Sequence, residues 1–403
     1  MELFWLEHKK LWRKKIVKIC VLLCFVYCVI FGSILSFQWF CFGSSDDYTS
    51  AFGNNFDGYT VIKDSQEYAL SFGGELTDET LQQIVSDYQQ MEADGMEKEL
   101  EKTDWQIVNS WLGTLYPELR DTSNYKTMIS YVDPDKLTGF YERRQQVLDE
   151  FLEVSGQVGA EKEYLHQIER KVGKPFHYEW VEGWSTLLGS MVADLGVVMA
   201  LFLGIVLSSL FAGEWHDNTS TLVLTTRNGW GKIALAKILT GLAFTVELFA
   251  LLAVSNVISQ LFFMGTAGWD MPIQNIKLIA VAPMNMLQAE IYEYAFVLLG
   301  AIGFAGIVMF TSAAVKNNVL TLLLSLAVVY APMMIAEYLP YEMQKALDLI
   351  PLVGSSTDIF RTNTFRIFGK LIWSPYLLIT IPVLIGILCM PFAIKSWSRR
   401  MKA

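Results

Sequence analysis

The sequence predicts an all-α polytopic membrane protein that has six transmembrane helices and a mainly α-helical extracellular domain inserted between spans 1 and 2. Three observations predict this fold. The 403 residues are 53% hydrophobic, with a mean hydropathy of +0.34. Several apolar runs approach or exceed the ~20 residues that a helix needs to cross a bilayer. One long acidic segment separates the first run from the others. This composition argues against a soluble enzyme.

The chain begins with a predicted cytoplasmic amphipathic helix over residues 1–15. Trp5 and Trp12 stand seven residues apart on one face, while basic residues, Arg13 among them, fall elsewhere. Aromatic side chains opposite basic ones are typical of a helix that lies in the headgroup layer of the lipid bilayer. Two interpretations remain open: the helix is a lever on which a cytoplasmic partner acts, or it is only a topology signal.

Six apolar segments follow as predicted spans. The first, within residues 16–43, is interpreted as a retained anchor because no small-residue cleavage site follows it. The other five lie within residues 186–403. Only Asp194 and Glu247 place a charge inside any of the six. The segments are Ile19–Phe42, Ser185–Ala212, Ile238–Met264, Tyr294–Val315, Asn317–Ala336 and Leu371–Ile394.

The distribution of basic residues predicts the orientation of the chain. Both termini and the loops after spans 2 and 4 carry most of the Lys and Arg residues outside the acidic segment. Because cytoplasmic loops of membrane proteins are enriched in Lys and Arg, both termini are predicted to be cytoplasmic. The segment over residues 44–185 then lies outside the cell.

The predicted extracellular domain is strongly acidic. Residues 44–185 contain 28 Asp and Glu against 12 Lys and Arg, and none of the five cysteines. Helices are expected over Asp78–Trp111, Leu137–Val154 and Ala160–Val172, with Thr77 as the N-cap of the first. The fold of residues 44–74 is not predicted. An exported domain without disulfides is compatible with a bacterium as the source.

A second irregular segment precedes span 6. Residues 338–370 are too many for a bare connection in a compact protein. They contain an apolar run with a proline, followed by a polar stretch. We expect a short re-entrant hairpin that enters the outer leaflet, because irregular backbone survives at that depth only when protein or water surrounds it.

The loop over residues 213–232 is the most suggestive cytoplasmic element. Acids stand at its start (Glu214 and Asp217), and bases follow at Arg227 and Lys232. Acidic residues near the N-terminus of a helix, with basic residues near the point where the chain re-enters the membrane, are typical of a short interfacial helix. This pattern indicates a docking site for a partner.

The same loop carries a pattern of a Glu at the end of a span, a Thr five residues on, a Leu-Thr-Thr-Arg stretch and a Lys just before the next span. The positions are Glu214, Thr219, Leu224, Thr225, Thr226, Arg227 and Lys237. This pattern resembles that of type-2 ATP-binding-cassette (ABC) permeases, in the bacterial branch with a large extracellular domain between the first two spans. The resemblance extends to the N-terminal helix, the six spans and the re-entrant hairpin, while Asn218 departs from the glycine frequent in the family. It implies that Glu214, Asp217, Thr219, Thr225 and Arg227 couple the chain to an ATPase.

The resemblance also implies partners. Such permeases work with a dimer of cytoplasmic ABC ATPase subunits and with a second permease copy or a paralogue. This chain has no G-x-x-x-x-G-K-[ST] motif and no long cytoplasmic segment, so ATP and Mg²⁺ would be bound by the partner ATPase. We expect no cofactor, metal site or catalytic residue in this chain, and no nucleic acid partner.

Two intramembrane acids, Asp194 and Glu247, have two open interpretations. A carboxylate at the centre of a bilayer costs roughly 2.5 kcal/mol or more, so each should face protein or water. They are candidates for a polar patch on a translocation path. The alternative is an interhelical hydrogen bond.

The function expected from the sequence is that of the permease subunit of an ATP-driven ABC exporter in a bacterial cytoplasmic membrane. Its substrate would be a peptide, an antimicrobial agent or a lipid-like molecule. An acidic outer domain is compatible with a cationic peptide ligand, because opposite charge raises encounter rates. The alternatives are a membrane sensor of an extracellular peptide and a proton-coupled secondary carrier.

Overall fold

The computed structural model describes residues 2–30, 66–67, 73–96, 105–121, 126–188, 192–219, 231–354, 360 and 362–399. These residues are mostly helical. The α-helices are α1 (Glu2–Arg13), α2 (Lys15–Val29), α3 (Asp78–Ala93), α4 (Trp105–Leu115), α5 (Phe140–Val154), α6 (Ala160–Glu169), α7 (Glu182–Thr186), α8 (Val192–His216), α9 (Lys232–Met264), α10 (Met286–Val315), α11 (Asn318–Ile335), α12 (Tyr341–Leu347) and α13 (Ser374–Arg399).

The strands form two short antiparallel pairs. Strand β1 (Gly74–Leu76) pairs with β2 (Phe176–Tyr178), and β3 (Thr364–Ile367) pairs with β4 (Lys370–Trp373). Single turns of 3₁₀-helix occur at Pro117–Leu119, Met128–Ser130, Pro134–Lys136, Ile273–Asn275 and Ala336–Tyr338.

Five helices in the described part of the chain are long and apolar enough to cross a membrane: α8, α9, α10, α11 and α13. The prediction of a helical, multi-pass membrane protein is therefore confirmed. The predicted first span reaches beyond α2 into residues 31–43, which lie outside the described residues. The count of six spans stays a prediction for that reason.

Helix α10 is the centre of the bundle and packs against α8, α9, α11 and α13. Its crossing with α13 depends on glycine. A Cβ atom added to Gly306 would lie 2.5 Å from the carbonyl oxygen of Gly386, so only hydrogen atoms fit between the two backbones. Small residues permit such close helix contacts in a bilayer, where packing rather than water exclusion holds helices together.

Two of the long helices begin at places that hydropathy does not indicate. Helix α10 begins at Met286, eight residues before the predicted span, because the Asn285 and Gln288 side chains form a capping box there. Helix α13 begins at Ser374, because the apolar residues just before it belong to strand β4. The predicted span 6 was therefore placed too early, and span 4 too late.

The acidic insert contains helices in all three segments where they are predicted, but the first segment holds two helices instead of one. Thr77 caps α3, since its side chain accepts a hydrogen bond from the Thr80 backbone nitrogen. The predicted single helix over Asp78–Trp111 is wrong, because α3 ends at Ala93, Gly95 follows with a positive φ of 71°, and α4 begins only at Trp105. Helices α5 and α6 lie within the predicted second and third helices. The apolar faces of α3, α4 and α5 meet in a core that includes Leu81, Trp111 and Leu148. Residues 44–65 and 68–72 lie outside the described residues.

This domain rests on one end of the helical bundle. The fully buried Arg144 donates hydrogen bonds to the carbonyl oxygens of Leu278 (2.8 Å) and Ala280 (3.2 Å), in the connection between α9 and α10. The Trp111 indole donates to the Asn275 carbonyl oxygen of the same connection at 2.9 Å. The Arg366 side chain, on strand β3, pairs with Glu161 of α6. The domain thus contacts connections that lead directly into α9, α10 and α13.

The segment before α13 also enters the bundle. After α12, the buried residue Leu352 packs against α10, since a Cβ atom on Gly300 would lie 3.1 Å from a methyl carbon of Leu352. Gly300 lies fourteen residues after the first residue of α10, about 21 Å along the helix axis. The described part of 338–370 contains one short helix and one β-hairpin. Its path through a bilayer stays a prediction.

Candidate functional site

The candidate site lies at the end of the bundle opposite the domain, where α8 ends and α9 begins. Helix α1 packs along the first half of α9. A break at Lys14, which has an extended backbone conformation, separates α1 from α2. The break allows α1 to turn away from the direction of α2 and to bring its polar residues to the last turn of α8.

Glu214 is the centre of this site. It lies in the last turn of α8 and its side chain is only 4% exposed. Its Oε1 atom accepts hydrogen bonds from the Nζ atoms of Lys10 (2.6 Å) and Lys237 (2.8 Å). Lys237, 2% exposed, also donates to Glu7 of α1 at 2.8 Å. One carboxylate therefore joins α1, α8 and α9.

The electrostatics of this site favour an ion pair between Lys10 and Glu214. Desolvation lowers the pKa of Lys10, but the hydrogen bond to Glu214 and the charges of Glu214 and Glu7 outweigh it, so the net shift is upward. The pKa of Lys14 is lowered, first by burial and then by repulsion from Lys237 and Lys10. Its Nζ atom donates to the Ser209 hydroxyl at 2.9 Å. Lys10 and Lys237, rather than Lys14, thus balance the buried carboxylate.

The turn after α8 is tied to the same carboxylate. The Thr219 hydroxyl donates to Oε2 of Glu214 at 2.5 Å, and the Thr219 backbone nitrogen donates to the Glu214 carbonyl oxygen at 3.0 Å. Asn218 between them has a positive φ of 54°, a conformation that asparagine tolerates better than most residues. Asp217 is exposed beside them. Thr225 and Arg227 lie outside the described residues.

Helix α1 makes a second polar contact with α9. The Trp12 indole donates to Oε2 of Glu247 at 3.0 Å, and the His8 Nε2 atom lies 3.2 Å from Oε1. This contact favours the interhelical hydrogen bond over a translocation path for Glu247. The Trp5 and Arg13 side chains are exposed. Asp194 falls in α8, but its side chain lies outside the described part.

An aromatic contact joins the end of α13 to the same end of the bundle. The Trp397 ring packs against those of Phe211 and Trp215, with ring centroids 5.6 and 6.1 Å apart. The Lys316 ammonium lies 4.1 Å from the centre of the Trp215 ring. Elements α1, α8, α9 and α13 and the turn between α10 and α11 therefore meet around the last turns of α8.

Sequence reasoning missed the partners of Glu214. Lys10 belongs to the basic N-terminal stretch that predicts the orientation of the chain, Glu7 belongs to no pattern, and Lys237 enters only through the family resemblance. The sequence nevertheless contains a signal that indicates these partners. A glutamate at the end of an apolar helix needs a cation, and basic residues predicted on the same side of the membrane were the available partners.

The arrangement is suited to holding α1, α8 and α9 together. Among the described residues, no group of three or more His, Cys, Asp and Glu side chains is arranged to hold a metal ion. Buried ion pairs fix the relative position of the elements that carry them, because removal of one partner leaves an uncompensated charge. Comparison of the chain with protein-family models, with curated proteins and with solved structures finds no match.

Proposed function

We propose that this protein is the permease subunit of an ATP-driven ABC exporter in a bacterial cytoplasmic membrane. The observation that carries the proposal is the ion cluster at Glu214. It connects the N-terminal helix to the end of α8 and the start of α9, the two helices that the loop over residues 220–230 joins in the sequence. A partner that moves this loop would act on α1, α8 and α9 together.

The partner would be a dimer of cytoplasmic ABC ATPase subunits, which would bind ATP and Mg²⁺. A second copy of this chain, or a paralogue, would complete the translocation path. The acidic domain lies at the opposite end of the bundle and, in the proposed orientation, outside the cell. It would meet a peptide, antimicrobial or lipid-like substrate, while the energy for transport enters at the Glu214 end.

The test is purification of the tagged full-length protein from its own membranes, followed by measurement of Mg²⁺-dependent ATP hydrolysis. We expect an ATPase chain to co-purify, and its turnover to be sensitive to vanadate. The charge reversal Glu214→Arg should reduce that turnover, or uncouple it from transport, because it places a third cation beside Lys10 and Lys237. Glu150→Arg, an exposed position on α5, is the matched control and should leave turnover unchanged.

Two outcomes would contradict the proposal. If no ATPase co-purifies with the wild-type protein, the sensor and the secondary carrier become the better explanations. If Glu214→Arg and Glu150→Arg both transport at the wild-type rate, Glu214 has no part in coupling. A truncation of residues 2–11 tests the same connection from the side of α1 and should uncouple hydrolysis from transport.

A further inference from the structure

An open cleft lies beside the ion cluster at Glu214, between α1, the last turns of α8 and the start of α9. Its volume is about 320 Å³, and its walls include Lys14, Ser209, Gly213 and Lys237. Gly213 leaves room there, because even an added Cβ atom would lie 3.9 Å from the Lys14 Nζ atom. The cleft therefore gives a ligand access to Lys14, a half-buried lysine that is not part of the ion cluster.

Lys14 has no anionic partner at contact distance. Among the described residues, no carboxylate oxygen lies within 4 Å of its Nζ atom, and the acceptor of its hydrogen bond is the neutral Ser209 hydroxyl at 2.9 Å. Lys10 and Lys237 pair with carboxylates and repel Lys14, while the exposed Asp217 attracts it from farther away. The cleft thus contains a positive charge that no contacting side chain of the described part compensates.

Exposed basic residues flank Lys14 at the break between α1 and α2. Arg13 and Lys15 are its neighbours, and Lys9 and Lys18 lie about one turn further away on either side. In the part of the chain that the structure describes, none of these four has a carboxylate within 4 Å. The N-terminus of α2 lies at the same break, and no side chain caps it. The bases and the helix dipole both favour an anion at this place.

The cleft lies at the depth expected for lipid headgroups. Helix α8 has 25 residues and is about 37 Å long, so its ends extend beyond the ~30 Å hydrocarbon core of a bilayer. Ser209, seven residues before the end of α8, is about 10 Å from that end. Beyond Lys18, the exposed side chains of α2 are apolar and include Ile19, Leu22, Leu23 and Val26. A surface suited to acyl chains therefore begins next to the cleft.

We propose that this cleft binds the phosphate group of an anionic phospholipid, with Lys14 as the main contact. An ammonium group has three N–H donors, and the Ser209 hydroxyl occupies one of them. The other two can donate to phosphate oxygens. A zwitterionic phospholipid fits less well, because the flanking bases repel the cation of its headgroup.

A role in topology alone does not explain the position of Lys14. The positive-inside rule requires basic residues outside the membrane, but it does not require an ammonium group that contacts α8 inside a cleft. A bound lipid would connect α1, α2 and α8 beside the ion cluster. The inference does not depend on the proposed function, because lipid binding can be measured on this chain without any ATPase.

The experiment is lipid binding to the purified full-length protein in a neutral detergent, measured by native mass spectrometry. Dioleoyl phosphatidylglycerol and dioleoyl phosphatidylcholine, which have the same acyl chains, are titrated separately. We expect the first phosphatidylglycerol to bind at least about tenfold more tightly, because several bases act on its net charge. Lys14→Gln should weaken its binding at least about fivefold. The matched control Lys395→Gln, which removes an exposed base of α13 at the same end of the bundle, should retain the wild-type affinity.

A second measurement uses only the wild-type protein and does not depend on how a variant folds. In nanodiscs that contain phosphatidylglycerol, acetic anhydride should acetylate Lys14 at least about fivefold more slowly than in phosphatidylcholine alone, with a smaller change at Lys395. Equal affinities for the two lipids, or a wild-type affinity of Lys14→Gln for phosphatidylglycerol, would overturn the proposal. Equal protection of Lys14 by inorganic phosphate in phosphatidylcholine nanodiscs would also overturn it, because the anion would then need no acyl chains.

Discussion

Arg144 offers the sharpest test of how the domain is attached to the bundle. The Arg144→Met variant keeps most of the side-chain volume but removes the guanidinium. Glu169, which accepts from Arg144 at 2.6 Å, would then keep only Lys174 at 3.0 Å. The Leu278 carbonyl oxygen would lose this donor, whereas that of Ala280 would keep the Gln274 amide.

The expected cost follows from these contacts. Removal of one partner of a buried ion pair costs ~3–5 kcal/mol, and an unsatisfied buried carbonyl group costs ~1–3 kcal/mol. The remaining Lys174 contact and the packing of the Met side chain reduce the sum, so we expect ~4 kcal/mol. The assay is hydrogen exchange of the α5 and α6 amides in the full-length protein. A loss of this size accelerates exchange through local opening by about a thousandfold.

The control is Arg170→Met, on an exposed arginine one residue from Glu169, whose loss should change stability by no more than ~0.5 kcal/mol. Equal exchange rates in the Arg144 and Arg170 variants would refute the reasoning. They would mean that the domain is held by its apolar contacts and that the buried guanidinium contributes nothing.

Three further predictions concern single residues. Burial opposes ionisation of Glu169, but its hydrogen bonds to Arg144 and Lys174 outweigh this effect and hold the pKa of its carboxyl below 4.5. The stabilisation by the ionised carboxylate is complete above that pH and is lost as the pH falls through the folded-state pKa. The stability of a Glu169→Gln variant should therefore depend less on pH in acid unfolding. Gly306→Ala should cost ~1–3 kcal/mol in thermal unfolding because the added methyl group meets α13, whereas Gly113→Ala, in an open position on α4, should be neutral or stabilising. Lys237→Met should loosen α1 and accelerate hydrogen exchange of its amides by about tenfold or more. Wild-type exchange in this variant would show that Lys10 and the contacts of Trp12 and His8 with Glu247 hold α1 without Lys237.

The sequence predicts helices α8 to α11 well because long apolar runs have few alternatives in a membrane protein. The sequence does not predict where these helices begin and end, because local contacts determine those positions. Glu290 lies outside the predicted span 4, Tyr294–Val315, yet the Asn285 cap sets the start of α10 four residues before Glu290. Leu371 was assigned to span 6 because it is apolar, while pairing with Arg366 makes it part of a β-hairpin.

The candidate site was predicted only in part. Glu214 and Thr219 could be chosen because they follow a span, and they do contact each other. The partner Lys10 lies 204 residues away from Glu214, and no periodicity of one segment determines which of six bases near the N-terminus it meets. The pairing depends on how α1 crosses α9, which is a property of the packed helices.

The attachment of the domain through Arg144 sets an order for its biosynthesis. The carbonyl oxygen that Arg144 binds belongs to a residue 134 positions later in the chain. At about 5–20 residues per second, roughly 7–27 s of translation separate the two. During this interval α8 and α9 are still being made, and Glu169 is the one hydrogen-bond acceptor described for Arg144 that has already been synthesised. The domain can therefore reach its final form only after the membrane helices on which it rests have been inserted.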